Sequence, residues 1–190
     1  MTKAEARQHY QRMRGTLGQG DVSSMSYQLC EKFMQHFGHL QQQILMGFAG
    51  IARHKEPDML PLMHTAAAKG VARQLALPHM QQERGRMQPV LYTKGMALTH
   101  NATGVPEVPN PQPLHPEDLD IVLIPLLCID GSGHRVGFGG GYYDRFLVRT
   151  RPGCLKIGIG FFPPIELIED ISEHDVPLDA YLTPTGLLQF

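Results

Sequence analysis

The sequence predicts an α/β fold, a single three-layer domain over residues 1–190 with a mostly parallel sheet flanked by helices. Three observations carry this. Short apolar runs at 44–48, 120–126 and 156–162 read as strands buried on both faces, the habit of parallel sheets. Helix-forming stretches alternate with them, the pattern of strand–helix–strand crossovers. A chain of 190 residues is enough for one full hydrophobic core and short for two.

The elements follow in order. Residues 2–14 favour a helix, and its exposed, polar start predicts that removing residues 1–8 costs little stability. A second helix is expected over 22–37, with Asp21 as its cap. Residues 44–48 form a buried strand. The run Pro57-Asp58-Met59-Leu60-Pro61 then opens a helix that reaches Lys69 and stops at Gly70. Residues 71–77 return as a strand closed by Pro78. Leu91-Tyr92 and Met96-Ala97-Leu98 suit short edge strands. Residues 105–116 hold five prolines among twelve positions and read as an extended loop. After the strand at 120–126 come a turn (129–133), a glycine-rich loop (136–141) and a short helix (142–149). A strand at 156–162, a helix starting at Pro163-Pro164-Ile165 and a strand at 180–183 complete the chain.

Composition narrows the function. Hydrophobic residues make up 42% and charged ones 18%, which is globular rather than disordered composition. The net charge is -1 and the bases are scattered, so no basic stripe marks a nucleic-acid partner. No apolar run approaches the roughly 18 residues of a membrane span. The basic N-terminal stretch has no apolar segment behind it, unlike a secretory signal. Cys30, Cys128 and Cys154 form no CxxC pair, which excludes a zinc knuckle and a disulfide framework. A cytoplasmic protein acting on small molecules, as a monomer, is the expectation.

The chemistry is concentrated between Arg135 and Asp144. In open α/β sheets ligands bind beyond the carboxyl ends of the strands, where this segment falls. Gly137, Gly139, Gly140 and Gly141 let the backbone approach a ligand and turn successive N–H groups one way. A helix starting at Tyr142 adds its free amides, a natural phosphate site. Arg135 suits bidentate phosphate contact, and Asp144 is a hard oxygen ligand suited to Mg²⁺. The loop is neither a P-loop nor a GxGxxG fingerprint.

The block from Ile129 to Arg145 (IDGSGHRVGFGGGYYDR) closely resembles the signature of the 5-formyltetrahydrofolate cyclo-ligase family, roughly D-x-x-G-x-R-L-G-x-G-[KG]-G-Y-Y-D. Further resemblances are Lys3 with Arg7, Glu56-Pro57-Asp58-Met59, Leu77-Pro78, and His174-Asp175 with Leu178-Asp179. The resemblance implies ATP- and Mg²⁺-dependent ring closure of 5-formyltetrahydrofolate to 5,10-methenyltetrahydrofolate. It also implies roles. ATP would be held by Lys3, Arg7, Arg135, Val136, Gly137, Phe138, Gly139, Gly140, Gly141, Tyr142 and Tyr143, with Arg135 and Lys3 acting in catalysis. The folate would lie against Glu56, Phe138, Gly139, Gly140, Gly141 and Tyr142, and Asp144 and Asp175 would hold Mg²⁺. Three positions depart from the pattern. Gly140 stands where many members have Lys, Met59 where they have Thr, and residues 49–55 form a loop about two residues longer than usual. A non-catalytic binding module and a phosphate-handling isomerase share the fold class. Intact Arg135, Asp144 and Asp175 argue against the first, and the paired Lys3 and Arg7 against the second.

Overall fold

Helix α1 (Lys3–Gly15) begins on a capping box in this computed structural model, which describes residues 1–81, 85–101 and 104–190. The Thr2 hydroxyl accepts from the Glu5 N–H at 3.3 Å, and the Glu5 carboxylate accepts from the Thr2 N–H at 2.9 Å. The helix is exposed along one side only, because Ala6, Tyr10 and Arg14, spaced four apart, are buried. Removing its first turns therefore strips core contacts, contrary to the expectation of a dispensable arm. Helix α2 (Gln19–Phe37) starts at a Gly18 cap, and Asp21 lies inside its first turn. From there the Asp21 carboxylate reaches back to the Gly18 N–H at 2.8 Å, satisfying the helix end from position N3.

The strands in chain order are β1 (Gln43–Met46), β2 (Ala72–Gln81), β3 (Arg86–Tyr92), β4 (Thr99–His100), β5 (Pro106–Glu107), β6 (Ile121–Pro125), β7 (Cys128–Ile129), β8 (Arg135–Val136), β9 (Leu155–Ile159), β10 (Ala180–Thr183) and β11 (Gly186–Gln189). Seven of them form the main sheet in the order β11-β10-β9-β6-β1-β2-β3. Its inner strands β10, β9, β6, β1 and β2 are mutually parallel, whereas the edges β3 and β11 run antiparallel to their neighbours. Alternate side chains feed two cores, as the two-residue period of a strand requires. Leu45, Ile121, Leu123, Ile157 and Leu182 pack under α2 and α3 (Leu60–Ala68). Ile44, Met46, Val122, Ile124 and Tyr181 pack on the other face with Phe146 and Leu147 of α4 (Tyr142–Leu147). A smaller cluster joins Ala6 and Tyr10 of α1 to Leu127, Cys128 and Val136 of the β7–β8 ribbon.

Several expected boundaries move for identifiable reasons. Strand β2 continues through Pro78 to Gln81, since β1 pairs with it only as far as Ala76 and Pro78 faces Pro89 of β3. The missing proline N–H thus interrupts no ladder. Met96, Ala97 and Leu98 are not a strand; the pair forms one residue later, between Thr99–His100 and Pro106–Glu107 of the proline-rich stretch. No helix follows Pro163-Pro164-Ile165. A residue before proline avoids the helical region, and Ile165 instead donates its N–H to the Ile129 carbonyl at 2.8 Å. Helix α4 ends at Leu147 rather than Arg149, where the Thr150 hydroxyl donates to the Leu147 carbonyl at 2.7 Å.

The turn that delivers the glycine loop is built on Asp130, which is fully buried. Its carboxylate accepts from the N–H groups of Ser132 (2.9 Å), His134 (3.0 Å) and Ile168 (3.3 Å). Asp130→Ala orphans three amides and should lower unfolding free energy by about 3 kcal/mol. Asp130→Asn keeps an oxygen for the turn and should lose roughly a third of that. Urea denaturation of the two variants beside the parent checks the ranking.

Candidate active site

The parallel strands end at one edge of the sheet, and the segments beyond them enclose a cavity of about 330 Å³. Pro78, Met80, Met87 and Pro125 supply its apolar wall, and Val105 and Pro106 of the strap around β5 close over it. Lys3, Arg7, Glu56, Arg135, Val136, Gly137, Phe138, Gly139, Gly141, Tyr142, Tyr143, Asp144 and Asp175 all border it, so nearly every residue singled out from the sequence converges there. Gly140 is the exception. Its carbonyl accepts from Arg145 Nη2 at 2.8 Å, and the Arg145 guanidinium lies 5.1 Å from the centre of the Tyr142 ring.

Two residues of the loop are glycine of necessity. Gly139 has φ +98° and Gly141 has φ +63°, the left-handed region that side chains resist. Gly141 is the residue from which α4 starts. The Gly137 carbonyl accepts from Arg7 Nε at 3.0 Å, which ties α1 to the loop. Val136, besides bordering the cavity, packs into the α1 cluster and so holds the loop down.

The charged residues are paired within the cavity. Arg135 Nη2 donates to Asp144 Oδ1 at 2.6 Å, and Arg135 Nη1 to the Val176 carbonyl at 2.6 Å. The Val176 N–H returns to the same Asp144 oxygen at 3.1 Å, closing a triangle between β8, α4 and the loop at 170–179. Lys3 Nζ donates to Asp175 Oδ2, which also accepts from the Ser172 N–H at 2.7 Å. The Lys3 N–H is anchored separately, to Asp170 at 2.6 Å. Burial alone would raise the Asp175 carboxyl, but Lys3 and the Ser172 N–H outweigh it and hold it below the usual carboxylate range.

The remaining carboxylate of the cavity is different in kind. Glu56 is 6% exposed, and its carboxylate accepts from the Ile51 N–H at 3.0 Å. Burial pushes this carboxyl above its ordinary range, against the pull of that amide and of the Arg14 charge. The longer loop before it contains a 3-10 turn (Ala52–His54), which stacks the His54 ring against Phe138 at 5.1 Å. Lys55 then takes φ +48° and donates to the Gly15 and Leu17 carbonyls, which fixes the loop to the α1–α2 junction. Met59 is fully buried, so the residue that departs from the family pattern packs in the core.

Residues 1–184 match the profile of the 5-formyltetrahydrofolate cyclo-ligase family. The chain belongs to that family. Among curated members, the protein from Mycoplasma genitalium is 41% identical over 70 residues, covering 36% of this chain and 42% of its own length. The Escherichia coli K12 member is 36% identical over 79 residues, covering 38% and 40%. Both matches thus span less than half of the relative. The chain also resembles the solved structure of 5,10-methenyltetrahydrofolate synthetase from Aquifex aeolicus, with TM-score 0.82 and 24% identity over 100% of this chain and 93% of that one. At that identity the likeness speaks to the fold.

Membership in the family gives the placement of the two aspartates a meaning that can be tested on the geometry. Asp144 and Asp175 border one cavity, and each keeps one oxygen without a hydrogen bond among the described residues. No cluster of three or more His, Cys, Asp or Glu side chains suited to a metal exists among the described residues. Two carboxylates without a protein cage fit Mg²⁺, which keeps waters and takes its other ligands from phosphates. Sequence reasoning missed Arg14, His54, Tyr143 as a neighbour of Glu56, and the apolar wall. Arg14 had a signal, since Ala6, Tyr10 and Arg14 recur at helical spacing beside Lys3 and Arg7.

The depressed Asp175 carboxyl makes a pH prediction. Its pairing stabilises the fold fully above the unfolded value near 3.8, and that contribution disappears as pH falls through the lower folded value. Asp175→Asn should remove a term of about 1 kcal/mol from neutral pH down to about 4 and flatten the curve below it. Thermal unfolding between pH 2 and 7 (roughly the window linkage requires) checks the shape.

Proposed function

We propose that the chain converts 5-formyltetrahydrofolate to 5,10-methenyltetrahydrofolate with hydrolysis of ATP to ADP and phosphate, in a Mg²⁺-dependent reaction. One observation carries the reading. A single cavity is bordered by Lys3, Arg7, Arg135, residues of the glycine loop and the carboxylates of Asp144 and Asp175, and also by the buried carboxylate of Glu56. The cations, loop and paired aspartates suit a polyphosphate, and Glu56 suits a flat ring with a fork of N–H donors.

A formamide carbonyl is a weak electrophile and its oxygen a poor leaving group. In the proposed course the γ-phosphoryl group passes to the formyl oxygen, giving an iminium phosphate. N10 then bonds to the formyl carbon, the C–O bond breaks, phosphate leaves with both electrons, and N10 loses its proton. This chemistry needs no protein nucleophile and depends on alignment and neutralised charge. Burial raises the Cys128 thiol to about 12 and also raises Cys154, so neither supplies a thiolate at neutral pH.

The chain's own groups have separable tasks. Lys3, Arg7 and Arg135 bind and orient phosphate oxygens, while amides from Val136 to Tyr143 line the loop side. Glu56 accepts the pterin amino and ring N–H groups, and Phe138 covers the ring plane. Asp144 and Asp175 would hold Mg²⁺, which when bound neutralises charge on the transferring phosphoryl group.

Asp144→Asn should cut turnover by at least about 10²-fold at limiting Mg²⁺. Glu56→Gln should weaken formylfolate binding by about 1.5–3 kcal/mol and leave ATP binding nearly unchanged. Both are measured against spectrophotometric appearance of methenyltetrahydrofolate with and without ATP, and by calorimetry. Product formation that ignores ATP would reject the reaction. An ATP affinity that moves with Glu56 would reject the orientation of the two substrates.

A further inference from the structure

Arg14 closes α1 in an unusual setting. It is 3% exposed, and its Nη2 donates to the Leu126 carbonyl, just where β6 runs out. Its Nε and Nη1 are buried without a hydrogen-bond partner, and among the described residues no carboxylate lies within ion-pairing distance of it. The guanidinium lies 5.8 Å from the centre of the Phe138 ring, behind the side chain that borders the cavity. An uncompensated buried guanidinium is among the most costly groups a fold can retain. The neighbouring positions on the same helix face, Ala6 and Tyr10, pack in an apolar cluster, where a long apolar side chain would serve packing as well.

We propose that Arg14 is a positioning residue for Glu56, a buried cation against the Phe138 ring that keeps this cavity-lining carboxylate ready to accept paired N–H donors. The proposal rests on the reading of Glu56 as the pterin contact. Only the ionised carboxylate accepts two N–H groups at once. Burial opposes that ionisation, and the opposing forces are few: the Ile51 N–H and the Arg14 charge. The other groups around this pair are Tyr143 from α4, whose phenol feels Glu56, and Tyr181 from β10, whose phenol feels Arg14. Burial pushes both phenols far up, so they remain neutral. His54, which feels Arg14, shares the segment of Glu56 with Arg53 and Asp58. The Phe138 ring that Arg14 lies against also stacks on His54, two residues before Glu56, and Arg14 is the charge that favours the carboxylate over the acid.

The test measures binding of 5-formyltetrahydrofolate alone, without nucleotide, across pH, for the parent, Arg14→Met, Arg14→Lys and Glu56→Gln. The parent should lose affinity as pH falls through the raised Glu56 value, and Glu56→Gln should bind weakly with no such limb. Arg14→Met should keep or raise Tm while moving the limb to higher pH by about one unit, with Kd about 10-fold weaker on the acid side. Arg14→Lys should restore the limb most of the way. A flat parent profile, or unaltered binding in Glu56→Gln, removes the Glu56 reading on which the proposal stands. A limb present in the parent, absent in Glu56→Gln and unmoved in Arg14→Met overturns the role of Arg14 alone. A sharp fall in Tm for both Arg14 variants would make the residue structural and also overturn it.

Discussion

Parallel strands impose a direction, and that direction organises this molecule. Five inner strands run together, so their carboxyl ends lie at one edge and their exits crowd the same space. Phe48 beyond β1, the second half of β2 and Pro125 of β6 become the cavity wall for this reason alone. The antiparallel edges β3 and β11 cap the sheet without changing the arrangement. What the sheet cannot supply is charge. That comes from α1, tied in through Arg7–Gly137 and Lys3–Asp175, and from the ribbon β7–β8 and the loop at 170–179, held by Asp130 and the Arg135–Asp144–Val176 triangle.

The pairing of Lys3 with Asp175 and of Arg135 with Asp144 describes a site that neutralises itself. Opposite charges about 4 Å apart attract by ~4 kcal/mol at an effective dielectric of 20, enough to hold side chains in place while remaining exchangeable. In the proposed reaction a Mg²⁺–nucleotide would offer each member of these pairs a new partner of the same sign as the one it leaves. Phosphate oxygens can take the place of the carboxylates beside the cations, and the metal can take the place of the cations beside the carboxylates. Exchange of this kind avoids leaving a buried charge bare at any stage, which is the expensive alternative.

Legibility in the sequence followed the range of the physical signal. The buried strands β1, β6, β9 and β10 were readable because continuous apolar runs need both faces covered, and the glycine loop because glycine at 139 and 141 answers a local backbone need. The antiparallel elements β3, β7–β8 and β11 were largely hidden, since short or mixed runs acquire strand character only from a partner. Pro78 misled because proline is a strand breaker only where a ladder bond is required of it. Pro163-Pro164 misled in the opposite sense, since the residue before a proline resists the helix that the proline itself can start. At the site, the long motif gave the phosphate end. Arg14 shares a helical face with Ala6 and Tyr10, but its contact with Phe138, like the stacking of His54 on the same ring, arises only in the tertiary structure.

Two carboxyls that border the cavity are shifted in opposite directions, and this asymmetry suits different tasks. Asp175 is held below the usual range by a cation and an amide, which suits the metal-ligand role proposed for it. Glu56 is held above it by burial, so its charge is conditional. A conditional carboxylate binds a neutral ring with two N–H donors more selectively than an exposed one, because water competes poorly inside and an unmatched ligand leaves the charge unsatisfied. The same burial that sharpens recognition threatens to protonate the group. A cation behind it, too far to form an ion pair and too deep to meet solvent, relieves that threat without occupying the oxygens the ligand needs. An ion pair in direct contact would satisfy Glu56 internally and weaken its claim on substrate. Distance is therefore part of the function, and the empty donors of Arg14 are its structural trace.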